Sequence, residues 1–269
     1  MRKVSVWIMV LVCLCLNLAA YADPTRYRGG VRNALDKHAF NIRQQEQVLQ
    51  SLREKTGWLS LVFDAEGFLV CPDLLAVNGG SDAARRLLKA ALFSAEAYDL
   101  EAHNHSSAVS FARLQAGVNF ESRRTGDHIT VYPVQLDFAD FYQLRGDALA
   151  LKAFDLGLVI LHELGHGVWH LRDAADEAEE PGECETYINQ IRRELQLPER
   201  QNYRAQVRAG TLNISMGTRK IAELQFARTV EKQGEPRRER FLLRWEAETV
   251  GGVAPLSPTP KAGVATALR

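Results

Sequence analysis

The chain has 269 residues, with 33 basic and 33 acidic side chains and a formal net charge of zero. That balance excludes the strongly basic surface of a nucleic-acid binder, and the length suits one domain with a sizeable core or a core domain with an appendage.

The N-terminus carries an address. Arg2 and Lys3 precede an apolar stretch from Val4 to Ala20, and Ala20-Tyr21-Ala22 places small residues where a signal peptidase reads them. Residues 1–22 are therefore expected to be a signal peptide, which puts the mature protein in a periplasm or outside the cell. A membrane anchor is the alternative, but the apolar run lies at the lower edge of bilayer-spanning length. Val10-Leu11-Val12 lacks the small residue expected before a lipidated Cys13. Removal of 22 residues leaves 247, with 31 basic against 33 acidic side chains. Cys13 and Cys15 leave with the signal, so Cys71 and Cys184 would meet an oxidising compartment and are expected to form a disulfide, with two buried thiols as the alternative. In the chain-entropy model such a bridge contributes about 4–5 kcal/mol.

Further along, Val31 to Lys55 has the mixed spacing of an amphipathic helix. Trp58 to Asp64 and Phe68 to Cys71 predict a hairpin, and Ser81 caps a helix reaching about Ala97. Tyr98 to Ala102, Val109 to Leu114, Val118 to Ser122 and Ile129 to Leu136 are β-like runs. Pro133 assigns Asp127 to Pro133 to an edge strand rather than a central one. Asp147 caps a long apolar helix that runs to Leu171. An acidic loop, Asp173 to Glu180, follows, and Pro181 opens a helix that ends near Leu195. Lys220 to Val230 and Arg237 to Val250 predict a second hairpin, and residues 251–269 a disordered tail. The order predicts an α+β domain over 23–250, with a small mixed or antiparallel sheet on the buried helix, a catalytic core over about 98–203 and a C-terminal hairpin over 220–250. No internal repeat is visible.

Residues 162–166 read His-Glu-Leu-Gly-His. On a helix, positions four apart share a face, so His162 and His166 can aim both imidazoles at one zinc ion, and Glu163 is placed to take a proton from water. Asp155, His162 and His166 fall on one stripe of a helix that is otherwise apolar, and buried polar groups need partners. Chance is the competing explanation, since a chain with seven histidines meets this pattern at random about once in a hundred.

A third ligand must come from elsewhere. His170 lies too far along one straight helix and suits a supporting hydrogen bond; the metzincin position, six beyond His166, is Arg172. Glu185 is the preferred candidate, followed by Glu183 and then by a loop residue such as Asp173 or Asp176. Asn189, one turn beyond Glu185, is placed to hydrogen-bond a ligand. His103, His105 and His128 are explained equally well as polar loop residues.

This spacing resembles the gluzincin group of zinc metallopeptidases, which hold zinc with two His and one Glu. The segment from Glu185 to Tyr203 is similar to that following HExxH in metallopeptidase domains of some bacterial effectors and toxins. The resemblance covers about residues 145–203. It implies a zincin-like fold, a peptide or protein substrate, zinc on His162, His166 and Glu185, Glu163 as general base, and Tyr203 as the nearest donor for the oxyanion. Two other functions remain open from sequence: a non-catalytic secreted zinc protein, and a zinc amidase acting on cell-wall peptides.

Overall fold

Strand β1 (Gly30–Asn33) leads into helix α1 (Ile42–Thr56), a short hairpin of β2 (Val62–Phe63) and β3 (Leu69–Val70), helix α2 (Asp82–Leu92) and strand β4 (Ala97–Ala102). Strands β5 (Ala112–Leu114), β6 (Val118–Glu121) and β7 (His128–Leu136) follow, then α3 (Phe138–Gln143), β8 (Arg145–Gly146), α4 (Ala148–Lys152), α5 (Leu156–Trp169) and α6 (Glu183–Glu194). The chain closes through β9 (Glu199–Arg200), β10 (Gln206–Gly210), β11 (Arg219–Lys232) and β12 (Glu235–Glu246). The computed structural model describes residues 28–121, 126–175, 181–210 and 219–251. The expected signal peptide, nearly all of the C-terminal tail and Asp176 lie outside them. Among the described residues no helix is long and apolar enough to cross a membrane.

The architecture is α+β. One sheet runs β1-β4-β7-β5, with β6 also paired to β7; β1, β4 and β7 are parallel, whereas β5 and β6 are antiparallel to β7. Helices α1, α2 and α5 cover one face, where Leu52, Leu87, Leu88, Leu158, Leu161 and Leu164 bury Val31, Tyr98, Leu100, Val134 and Leu136. The second sheet runs β10-β11-β12-β8, with β9 on β11, and packs Leu224, Phe226, Leu243 and Trp245 against Phe111, Phe154 and Val159.

Several local expectations hold. Ser81 caps α2 by accepting from the Ala84 amide, β2 and β3 pair as a hairpin, and β11 and β12 pair across Gln233-Gly234. Three expectations are corrected. The helix read from Val31 begins at Ile42, where Asn41 and Gln44 form a capping box; Val31 is fully buried in β1, and Arg32 pairs with Asp99 of β4 at 2.5 Å. The long helix read from Asp147 is two helices. Asp147 instead accepts from the Leu242 amide at 2.7 Å, and Asp155 caps α5 on the Leu158 amide and pairs with Lys55 at 2.5 Å, so it is no part of a metal stripe.

The third correction concerns the edge. Strand β7, which carries Pro133, is central, and β5 with β6 forms the edge beside it. The register passes from Leu114↔Val134 to Val118↔Val131, so one extra residue bulges out of the edge strand opposite Pro133. The missing proline N–H falls at that bulge, where the Gln115 amide donates to the Pro133 carbonyl at 2.8 Å. Gly117 makes the bulge possible, because a Cβ there would stand 2.6 Å from Thr130 and 2.7 Å from Tyr132.

Candidate metal centre

Helix α5 stops at Trp169 because His170 takes a left-handed conformation (φ 53°), which turns the chain back so that the Leu171 amide reaches the Gly165 carbonyl at 3.3 Å. His170 itself is exposed. The returning strand of chain is then pinned to the first turn of α6. The Arg172 amide donates to Glu183 at 3.1 Å, and the Arg172 carbonyl accepts from the Cys184 amide at 3.0 Å. Gly182 allows this approach: a Cβ there would lie 2.2 Å from the backbone of Asp173 and Ala174. Glu183, a candidate ligand by sequence, is thus the clasp of the loop.

The clasp delivers Asp173. Its Oδ1 lies 3.1 Å from Nε2 of His162 and 3.2 Å from Nε2 of His166, and the two Nε2 atoms are 3.1 Å apart. Three donor atoms around a tetrahedral zinc at roughly 2.0–2.1 Å are separated by about 3.3 Å, so the triangle has the right size.

Its hydrogen bonding also calls for a cation. Nδ1 of His166 meets the Leu171 carbonyl at 2.6 Å, and Nδ1 of His162 faces the Glu185 carboxylate at 3.6 Å. Both acceptors favour a proton on Nδ1, which leaves two Nε2 lone pairs and a carboxylate oxygen directed at one point. A positive charge must sit among them, either a proton or a metal ion. The protonation of His166 reflects this demand: burial lowers its pKa, but the hydrogen bonds to Asp173 and the Leu171 carbonyl prevail and raise it to about 9. Burial would raise the pKa of Asp173, yet its hydrogen bonds with His162, His166 and Tyr203 hold it far below the ordinary carboxylate range.

Glu185, the ligand preferred from sequence, is engaged elsewhere. Its buried carboxylate pairs with Arg192 and, at 3.1 Å, with Arg200. Burial alone would raise its pKa, but the two guanidinium charges and His162 bring it down to about 2. Asn189, expected beside a ligand, instead accepts from Arg192 and from the Arg200 amide, each at 2.8 Å. Glu185 therefore lies behind His162, with its carboxylate 3.6 Å from Nδ1.

Cys184 is another neighbour, with Sγ within 4.8 Å of imidazole nitrogens of both histidines. It donates to the His162 carbonyl at 3.2 Å, and burial pushes its thiol far above the ordinary range, so Asp173 is the better third donor. Cys71 lies by Ser60 in the β2–β3 hairpin, and both cysteines are free; the expected disulfide is not formed.

Glu163 and Tyr203 flank the triangle. The Leu114 amide of β5 donates to Glu163 Oε2 at 2.7 Å. The Tyr203 ring stacks on His162 with centroids 6.2 Å apart, and its hydroxyl bonds to Asp173; burial and that bond push its pKa well above 10. A cavity of about 250 Å³ opens beside Glu163 between α5, α6 and the second sheet. Of the remaining histidines, His103 pairs with Glu101 at 2.8 Å and stacks on His38, while His105 sits in a turn and His128 at the exposed start of β7.

Asp137 and Asp140 are among the buried acids that sequence alone does not single out. Asp137 holds the Ser106 and Ala139 amides, and Asp140 holds the Phe111 amide at 2.9 Å. Their only signal was a pair of acids in the apolar run Leu136-Asp-Phe-Ala-Asp-Phe141.

Comparison with protein-family models, with curated proteins and with solved structures finds no significant match.

Proposed function

We propose that this chain is a zinc-dependent metallopeptidase with a zincin-like arrangement, in which His162, His166 and Asp173 hold the ion and Glu163 is the general base. The observation that carries this reading is the triangle of three acceptor atoms 3.1–3.2 Å apart beside a helix-borne carboxylate. Bound zinc would polarise a carbonyl and lower the pKa of a coordinated water to about 7.

The chain's own groups account for the rest. The Leu114 amide fixes one oxygen of Glu163, and the other is left to accept a proton from water and pass it to the leaving amine. Tyr203, already beside Asp173, is the O–H donor for the developing oxyanion. Glu185, itself held by Arg192 and Arg200, faces Nδ1 of His162 from the side opposite Nε2 and so favours the ring orientation that aims Nε2 at the centre.

Strand β5 is the substrate platform. Phe111 and Gln115 direct their main-chain groups at β7, so the alternation turns those of Ala112 and Leu114 to the side away from it. An extended peptide runs there antiparallel to β5 across the mouth of the site and donates to the Ala112 and Leu114 carbonyls, because the amides of these two residues already donate to Ser110 and Glu163.

The test is elemental mass spectrometry of the purified chain and of Glu163→Gln, beside peptide hydrolysis. About one zinc per chain in both, with hydrolysis in the wild type alone, supports the proposal. Failure to retain zinc after it is supplied, or hydrolysis by Glu163→Gln, overturns it; retained zinc without hydrolysis of any peptide would favour a non-catalytic zinc protein.

A further inference from the structure

We propose that the groove between α1, α3 and α4 is a second binding site, for a small organic cation with an aromatic or branched apolar body, and that Phe154 transmits its occupancy to the cavity beside Glu163. The site stands apart from the peptidase reading above.

Segments distant in sequence build the groove. Phe141, Leu144, Leu151, Phe154 and Leu156 make its floor, Gln47, Gln50 and Glu54 of α1 form one wall, and Tyr142 forms the other. Positions 47, 50 and 54 lie three and four residues apart and so share one face of the helix. The volume is about 320 Å³, larger than that beside Glu163 and within the range of small-ligand sites. At one end α1 and α5 touch: the Gly157 amide donates to Ser51 Oγ at 2.8 Å, and a Cβ on Gly157 would stand 2.7 Å from that oxygen.

Tyr142 is a preset recognition surface. Its ring is more than half exposed, yet Gln47 fixes it from across the groove, with Nε2 donating to the hydroxyl at 2.9 Å and Oε1 accepting from it at 3.4 Å. An aromatic ring held in this way loses little freedom when a ligand stacks on it.

The charges select the sign of the ligand. Glu54 and Asp155 are the charged residues of the lining. Lys55 places its ammonium 2.5 Å from Asp155 and 3.8 Å from Glu54, and its side chain is only 5 % exposed, so its charge is used behind the wall. Two carboxylates thus share one ammonium, and the groove keeps a net negative charge beside the rings of Phe141, Tyr142 and Phe154. An organic ammonium is attracted both by Glu54 and by the ring faces, whereas an anion is repelled by both. The floor stabilises the apolar body by burial.

Phe154 is the wall shared with the metal centre, since it lines both this groove and the cavity beside Glu163. Its ring stacks on Phe141 at 6.4 Å and meets Phe111 edge-on at 5.0 Å, and Phe141 meets Phe111 edge-on at 5.4 Å. Phe111 has little room to yield: its left-handed backbone (φ 64°) is held by the Asp140 carboxylate, which accepts its amide at 2.9 Å. Asp155 makes a second link, because it caps α5 on the Leu158 amide at 3.1 Å and Leu158 lines the cavity beside Glu163. Close-packed side chains pass a displacement on rather than absorb it. A ligand against Phe154 therefore shifts the packing around Val159 and Leu224, which line that cavity and not the groove.

The test is titration of the purified, methyl-labelled full chain with phenethylamine, phenethyl alcohol and phenylpropionate, read by NMR. The amine should bind about 5–10-fold more tightly than the carboxylate, and Glu54→Gln should weaken the amine by about 2–5-fold while leaving the alcohol unchanged. Gln50→Trp, an exposed change that fills the groove from its rim, should abolish binding of all three. The methyl resonances of Val159 and Leu224 should move with the same midpoint as those of Leu144 and Leu151. A carboxylate that binds as tightly as the amine, binding that survives Gln50→Trp, or no shift at Leu144 and Leu151 with any of the three compounds overturns the site. Shifts at Leu144 and Leu151 with Val159 and Leu224 unmoved overturn the transmission through Phe154.

Discussion

His162 turns Nδ1 toward the buried carboxylate of Glu185 at 3.6 Å and leaves Nε2 for Asp173. The two acids therefore have separable effects. Asp173→Ala should remove most zinc binding, whereas Glu185→Gln should weaken it by about 10–100-fold, the usual loss when an orienting partner goes. Competition against a chromophoric chelator measures both, and the reverse order would return Glu185 to the role of ligand.

Among the described residues Arg192 is the largest fully buried side chain, and its guanidinium joins Glu185, Asn189 and the Ala153 carbonyl. Arg192→Met keeps most of the volume but leaves the buried Glu185 carboxylate with Arg200 as its remaining guanidinium partner. Stability should fall by about 3–5 kcal/mol in denaturant titration, and the additional change Glu185→Gln should recover part of the loss. A single variant as stable as the wild type would show that the network carries no net stability.

The pKa of His166, at about 9, stands above the ordinary 6.5, so the metal-free fold holds a proton that the unfolded chain releases first. That contribution to stability is fully present below about pH 6.5 and is lost as pH rises through about 9. Chelator-treated protein should melt at progressively lower temperature between about pH 6.5 and about pH 9, while added zinc, which needs the neutral imidazole, restores the Tm most at the upper end. A flat Tm across this window in chelated protein would contradict the convergence of three acceptors on one point.

Leu114 gives its amide to Glu163 and not to β7. Leu114→Pro removes that donor without taking a bond from the sheet, so zinc content and the cooperative unfolding transition should persist. Turnover should drop while zinc binding stays, and unchanged kcat would mean that the amide does not position the base.

Much of the local structure was legible. The capping roles of Ser81 and Asp155 differ in an instructive way: Ser81 stands at a composition boundary, whereas Asp155 sits inside a continuous apolar run that conceals the break between α4 and α5. β1 was hidden similarly, since Val31 to Asn33 has no Pro or Gly to separate it from the helix that follows, and only its pairing with β4 reveals it. Pro133 was misread because its tolerance in a central strand depends on a bulge contributed by the Gln115–Gly117 stretch of a different strand.

The sequence by itself determined the pair His162 and His166, the adjacent Glu163 and the helix that carries them, because a four-residue spacing is a property of one continuous backbone. The third donor was decided by tertiary structure. Whether Asp173, Glu183 or Glu185 reaches the imidazoles depends on where His170 stops the helix, on Gly182 letting the loop close against α6, and on Arg192 and Arg200 claiming the one carboxylate that spacing favoured. Those are competitions among charges and close contacts from separate segments, and their outcome exists only once the segments are packed together.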